Sequence, residues 1–190
     1  MRWHVTNAVT LRRPRVFAGD RRGMAAVEFA LVLPLMLALY LGCVEFSQAY
    51  SISRQVTLIA STVANLTGRA TTLATSDMTG ILSASTEIIS PYSASGLAVT
   101  VSCLSISSKG AATVSWSATL NGTARTIGAT VTNPPIPSAL AVPNSKLIFS
   151  EVSYPYTPNL GYVITGTLNL ADHMYQSPRM TAPTYNNTAC

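Results

Sequence analysis

The apolar positions of this chain fall into three regimes, and each predicts a different element. From Met24 to Val44, "MAAVEFALVLPLMLALYLGCV", the run is almost wholly apolar, with Glu28 as its only charge. About 21 residues at a 1.5 Å rise give roughly 31 Å of helix, close to the hydrocarbon thickness of a bilayer. Past the end of this run the pattern becomes a stripe. Ala49, Ile52, Val56, Ile59, Val63 and Leu66 recur at alternating steps of three and four, the spacing of one helix face. Ser51, Arg54, Gln55, Thr57, Ser61 and Asn65 lie between them and suit a wetter face. One continuous helix is therefore expected from Met24 to about Leu66, on the order of 65 Å long, with Gly68 as its stop. Two occupants suit the stripe: the chain's own domain, or a neighbouring subunit, each along a different part of its length.

Beyond Gly68 the period changes again. Ser76 or Asp77 is placed to cap a short helix whose apolar positions are Met78, Ile81, Leu82, Ile88 and Ile89, ending before Pro91. Then alternation takes over. "LAVTVSCLSI" puts Leu97, Val99, Val101 and Cys103 on one face, and "ATVSWSATL" does the same for Val114, Trp116 and Ala118 before an Asn121-Gly122 turn. "SKLIFSEVSYPY" and "VITGTLNLADHMY" are two further strand candidates, separated by the proline-rich "TNPPIPSALAVPN", which reads as an ordered loop or edge. The fold class is α+β: a long N-terminal helix, first transmembrane and then amphipathic, a short helix, and an antiparallel sheet of about four strands.

Charge alters this picture once it is located. The net +5 resides in the first 23 residues, where Arg2, Arg12, Arg13, Arg15, Arg21 and Arg22 outweigh Asp20; from Met24 onward basic and acidic residues balance. A basic arm directly before an apolar helix is a topology determinant rather than a nucleic-acid footprint. It holds the N-terminus in the cytoplasm and sends the rest outward. A cleaved secretory signal would have a shorter core and a small-residue cleavage site. The run here is long and leads into "CVEFSQAY", so retention as an anchor is expected. The boundaries that follow are 1–23 for the basic leader, 24–66 for the helix and 67–190 for the exported domain.

Candidate chemistry is sparse. His4 and His173 fall in different compartments under this topology, and no set of His and Cys ligands forms a metal site. Asp172 beside His173 has no nucleophile motif to serve, and a surface strand end is the expected place for the histidine. No catalytic, metal or cofactor-binding residues are therefore assigned. Cys43, at the end of the apolar run, reads as a small hydrophobe. Cys103 and Cys190 both lie in the exported part, where disulfides persist. Paired with each other they would tie the last residue to a central strand; pairing between chains is the alternative.

Glu28 is the one costly residue, because a carboxylate deep in lipid costs about 2.5–3.5 kcal/mol at a helix centre. Either it stays hydrated close to the cytoplasmic surface, or it meets a positive charge. Scission after Gly23 would create one, the new α-amino group of Met24, four residues and one helical turn away. Glu28 would then neutralise its own terminus, or that of an adjacent staggered subunit, which would set registry.

A basic leader ending in glycine, then a helix with Glu28 at the fifth position and an aromatic, Phe29, after it, resembles the class III signal of type IV prepilins. The wider "RRGMAAVEFALVLPLMLALYLGCVEFSQAY" is similar to TadE-like pseudopilins of the tight-adherence (Tad, or Flp) pilus system, with "AAVEFAL", Pro34 in the helix and the second acidic-aromatic pair Glu45-Phe46. "VSYPYTPNLGY", "TGTLNL" and "SPRM" resemble the family's tail more loosely. The larger TadG-like relatives carry an Asp-x-Ser-x-Ser metal-binding domain, for which this chain has neither motif nor length. The resemblance implies cleavage between Gly23 and Met24 by a prepilin peptidase. It implies a bacterial inner-membrane protein with its C-terminal domain periplasmic or extracellular, and a minor pilin or assembly factor partnered by other pilin-like subunits and the Tad assembly platform. The rival from another class is a signal-anchored adhesion module that acts without processing.

Overall fold

The computed structural model describes residues 23–158 and 161–190. The arginine-rich leader, residues 1–22, lies outside the described residues, as does His4. The first element is one helix, α1, Met24–Arg69, with Pro34 inside it. Two layers follow. The elements in chain order are β1 (Thr72–Leu73), α2 (Thr75–Ile88), a 3-10 turn (Ala94–Gly96), β2 (Ala98–Ile106), β3 (Ala112–Leu120), β4 (Lys146–Tyr156), β5 (Leu168–Gln176) and β6 (Thr184–Tyr185). The main sheet is antiparallel in the order β3-β2-β4-β5, and β1 pairs with β6 in a small parallel ribbon. The α+β expectation holds, with four strands in the main sheet.

The stripe on α1 explains why this helix stays with the sheet. Ile52, Val56, Ile59 and Val63 are buried with Ala60 and Ala64, and α1 lies over β4 and β5. Each fully buried isoleucine contributes about 1.5–3 kcal/mol relative to exposure, so several in register fix the helix on its own domain. Leu66 departs from the reading: it is 38% exposed, and Thr67 and Gly68 take the buried face instead. Gly68 is not the stop either. It lies within the last turn, and a Cβ there would come 3.3 Å from Gln176 Cγ. Its role is close approach to the end of β5, and the helix ends at Ala70, which turns to extended backbone.

In α2, Asp77 sits at the third helical position rather than at the cap. Its carboxylate accepts the amide of Ala74 at 3.0 Å, satisfying one of the donors that a helix start leaves open. Met78, Leu82 and Ser85 face inward, and Ile89 follows them just past the helix end.

Neither face of the sheet is bare. Val99, Val101 and Cys103 of β2, Trp116 and Ala118 of β3, and Ile148, Val152, Tyr154 and Tyr156 of β4 pack toward the helices. A second cluster, Leu104, Ile106, Ala112, Val114, Leu147 and Phe149, lies on the opposite face beneath Val131, Ile136 and Leu140. The proline-rich segment is therefore a cover for that face. A register shift separates Cys103 from Leu104: Cys103 pairs with Trp116, but Leu104 pairs with Val114. Ser115 is the extra residue of a bulge, which turns Val114 away from the face shared by Trp116 and Ala118. The expected single face for Val114, Trp116 and Ala118 is corrected accordingly.

Candidate functional site

Among the described residues, the stretch of α1 up to Tyr40 packs against nothing in the sheet domain. Every residue from Gly23 to Tyr40 is exposed, including Val27, Phe29, Leu31, Leu35, Leu37 and Leu39. So much bare apolar surface is stable only in lipid or against other helices. The segment is long and apolar enough to cross a membrane, which fits a single-pass anchor. Pro34 removes one backbone donor from the ladder, a defect that membrane helices tolerate.

Gly23 and Met24 form the start of this helix. Gly23 is its cap residue and makes no side-chain cap. Glu28 stands one turn in, exposed. Among the described residues no ion-pair or hydrogen-bond partner reaches it. Phe29 beside it is exposed too. Any cation for Glu28 must come from elsewhere: the chain's own terminus, the leader or another molecule.

The second carboxylate is placed differently. Glu45, one residue beyond the apolar segment, is only 1% exposed. Its Oε1 accepts the amide of Tyr162 at 2.9 Å, and its Oε2 accepts those of Val163 and Ile164 at 3.1 and 2.7 Å. One turn earlier a Cβ on Gly42 would lie 3.4 Å from Val163 Cγ2. One turn later Gln48 Oε1 accepts the hydroxyl of Tyr156 at 3.2 Å. The loop between β4 and β5 is thus fastened to the helix at its emergence from the apolar run. Hydrogen bonding to the charged form, from Ile164 above all and then Tyr162 and Val163, holds the Glu45 carboxyl below its ordinary value, although burial opposes the shift. The sequence offered one signal for this: the buried stripe, extended back four residues from Ala49, lands on Glu45.

A carboxyl whose pKa falls on folding contributes stability above the unfolded value of 4.5, and that contribution is lost as pH drops through the lower folded value. The amides of Tyr162, Val163 and Ile164 should therefore be protected from hydrogen exchange at neutral pH and lose protection only in acid, below 4.5. Glu45→Ala should abolish their protection at every pH. Equal exchange in the variant and the parent, after correction for the intrinsic pH dependence, would contradict the fastening.

The sheet domain closes on itself by its tail. Cys103 and Cys190 are joined in a disulfide, with Cα atoms 5.6 Å apart. Trp116 Nε1 donates to the carbonyl of Pro183 at 3.1 Å, and the Trp116 ring packs on Tyr185 at 5.5 Å. Cys43 is a free, exposed thiol on the apolar half of α1.

On the far side of the sheet an open cleft of about 460 Å³ is bordered by Thr100, Arg125, Glu151 and His173. Arg125 and Glu151 neutralise each other through a two-point contact of 2.6 and 2.7 Å. His173 is exposed, lies mid-strand rather than at a strand end, and has the Phe149 ring at 6.1 Å. Asp172 points to the opposite face, toward Thr57 of α1. These two neighbours in sequence do not form a side-chain pair. Among the described residues no group of three or more His, Cys, Asp or Glu is gathered as a metal site would require.

A lone apolar helix that runs on into an amphipathic half, packed across an antiparallel sheet, is an α+β architecture that fits a single-pass membrane anchor. Residues 23–65 match the family model described as TadE-like protein, the stretch that holds Gly23, Glu28, Pro34 and Glu45. Among curated proteins and solved structures nothing matches the chain. The family match supports a pilin-like role associated with a Tad pilus.

Proposed function

We propose that the chain is a pilin-like structural or assembly protein of a Tad pilus, processed after Gly23 and assembled through its N-terminal helix. The observation that carries the reading is the bare apolar half of α1, matched to the TadE-like family and continuous with a half locked onto the domain. In this scheme a prepilin peptidase on the cytoplasmic side removes the leader at the Gly23–Met24 bond. The freed helix joins similar helices of other pilin-like subunits and the assembly platform in a bacterial inner membrane. The exported domain, residues 67–190 with the outer half of α1, is carried to the periplasm or the surface and contributes to adherence. The action is mechanical: α1 transmits position from the lipid to the sheet without a hinge between Glu45 and Arg69, because that half is packed along its length.

N-terminal sequencing of the protein isolated from its own membranes tests this. The expected first residue is Met24, and Gly23→Ala is expected to retain the leader, with the corresponding gain in mass. A native protein that still begins at Met1 would overturn the processing step and leave an unprocessed, signal-anchored module in its place.

A further inference from the structure

We propose that the loop Gly161–Ile164 is a second membrane contact, a foot that rests in the lipid headgroup and acyl boundary beside the emerging helix. The idea builds on the reading of α1 as a membrane anchor and adds to it a fixed orientation of the exported domain.

Depth is the first argument. Val163 packs on Gly42, which belongs to the apolar run, and Glu45 holds the next amides three residues further along the helix. If the run occupies the bilayer, the loop is at its outer boundary by construction. Composition is the second. Tyr162 is 73% exposed and Val163 55%, and residues 157–167 carry no charge. On the helix Tyr40, Phe46 and Tyr50 are exposed at neighbouring levels, and Phe46 and Tyr50 stack on each other at 6.4 Å. Aromatic side chains at the end of an apolar span are what a membrane–water interface selects. The third argument is electrostatic. A carboxylate this close to lipid needs its charge dispersed, and three loop amides do that while leaving the loop's apolar side chains outward. Glu45 thus spends its hydrogen bonds on presenting Tyr162 and Val163. With two contacts, the long helix and the foot, the sheet cannot rotate freely about the anchor axis.

Site-directed spin labelling tests the foot. The full chain, in a Cys43→Ser background, is reconstituted in vesicles of phosphatidylethanolamine and phosphatidylglycerol with a single labelled cysteine at position 37, 163 or 109. Collision rates with oxygen, which partitions into lipid, are compared with those of a water-soluble nickel complex. Leu37→Cys reports the anchor, and Lys109→Cys reports the β2–β3 turn at the far end of the sheet. The expected result is an oxygen-to-nickel ratio at Val163→Cys several-fold above that at Lys109→Cys and shifted toward that at Leu37→Cys. In a Glu45→Ala background the ratio at position 163 should fall to that of position 109, with position 37 unchanged. A nickel-accessible label at 163 alongside a lipid-exposed label at 37 overturns the foot and leaves the anchor standing. Shielding of position 163 from both reagents, with spin–spin broadening, also overturns it and assigns the loop to contact with a second copy. A ratio at 163 that stays high in Glu45→Ala overturns the part given to Glu45. If position 37 itself is nickel-accessible, the anchor reading fails and the foot fails with it.

Discussion

Replacing Cys190 with alanine is expected to lower the unfolding midpoint of the sheet domain by about 15 °C. The bridge to Cys103 spans a sequence separation of 87. Closing a loop of that length removes about 4–5 kcal/mol of unfolded-state entropy in the chain-entropy description. For a domain of this size each kcal/mol moves the midpoint by roughly 3–4 °C. The loss should not stop at the cysteine. The tail before it holds β6 against β1, with Thr184 opposite Thr72 and Tyr185 opposite Leu73. It also supplies the carbonyl that accepts the Trp116 indole. Untied, this segment has only short contacts to resist fraying, so limited proteolysis should cut it first. Thermal unfolding followed by circular dichroism checks the magnitude for Cys103→Ala, Cys190→Ala and the double variant. The three should be nearly equal, because either single change already opens the loop. A parent protein whose thiols are all alkylated under denaturing, non-reducing conditions would remove the bridge from the account.

How much of this was legible beforehand follows from which features have a period. The stripe on α1 was readable because packing on a sheet repeats at the helix period, and Ile52, Val56, Ile59 and Val63 obey it. Leu66 broke the pattern near the helix end, where Gly68 allowed the backbone to close on β5 and pulled the buried face round to Thr67. The strands were legible as strands, yet the alternation of β3 concealed the bulge at Ser115. An inserted residue shifts the period by one, and a run with apolar residues on both sides of it still looks regular. Apart from Cys103 and Cys190, which offer a pairing of the tail with β2, long-range partners have no local signature. The return of the tail to β1 and the use of the proline-rich segment as a lid depend on residues far apart in the chain. In the candidate site, charge and order along the sequence point to Gly23, Met24 and Glu28, and the resemblance to the prepilin signal adds Phe29. Glu45 was seen only as part of a family pattern, because its partners are backbone amides and carry no residue identity to read.

Glu28→Ala should leave cleavage untouched and cut assembly sharply. The side chain stands one turn from Met24 on the exposed, apolar half of α1, and among the described residues nothing in the chain neutralises it. Carried to mid-membrane, a carboxylate costs about 2.5–3.5 kcal/mol. An alanine there would make a better solitary anchor. In the proposed processing, the positive charge that would meet the acid during assembly is the α-amino group freed at Met24. A loss of even about 1.4 kcal/mol per subunit contact reduces incorporation about tenfold. The measurement is the amount of subunit in sheared or membrane-bound pilus fractions, set beside the intact mass of the processed chain. Glu28→Asp should recover part of the incorporation, since it keeps the charge and shortens its reach, whereas Glu28→Gln should behave like alanine. Normal incorporation of Glu28→Ala would show that the helix finds its register without the carboxylate. The packing of Phe29, Leu31 and Leu35 against neighbouring helices would then have to supply the register alone.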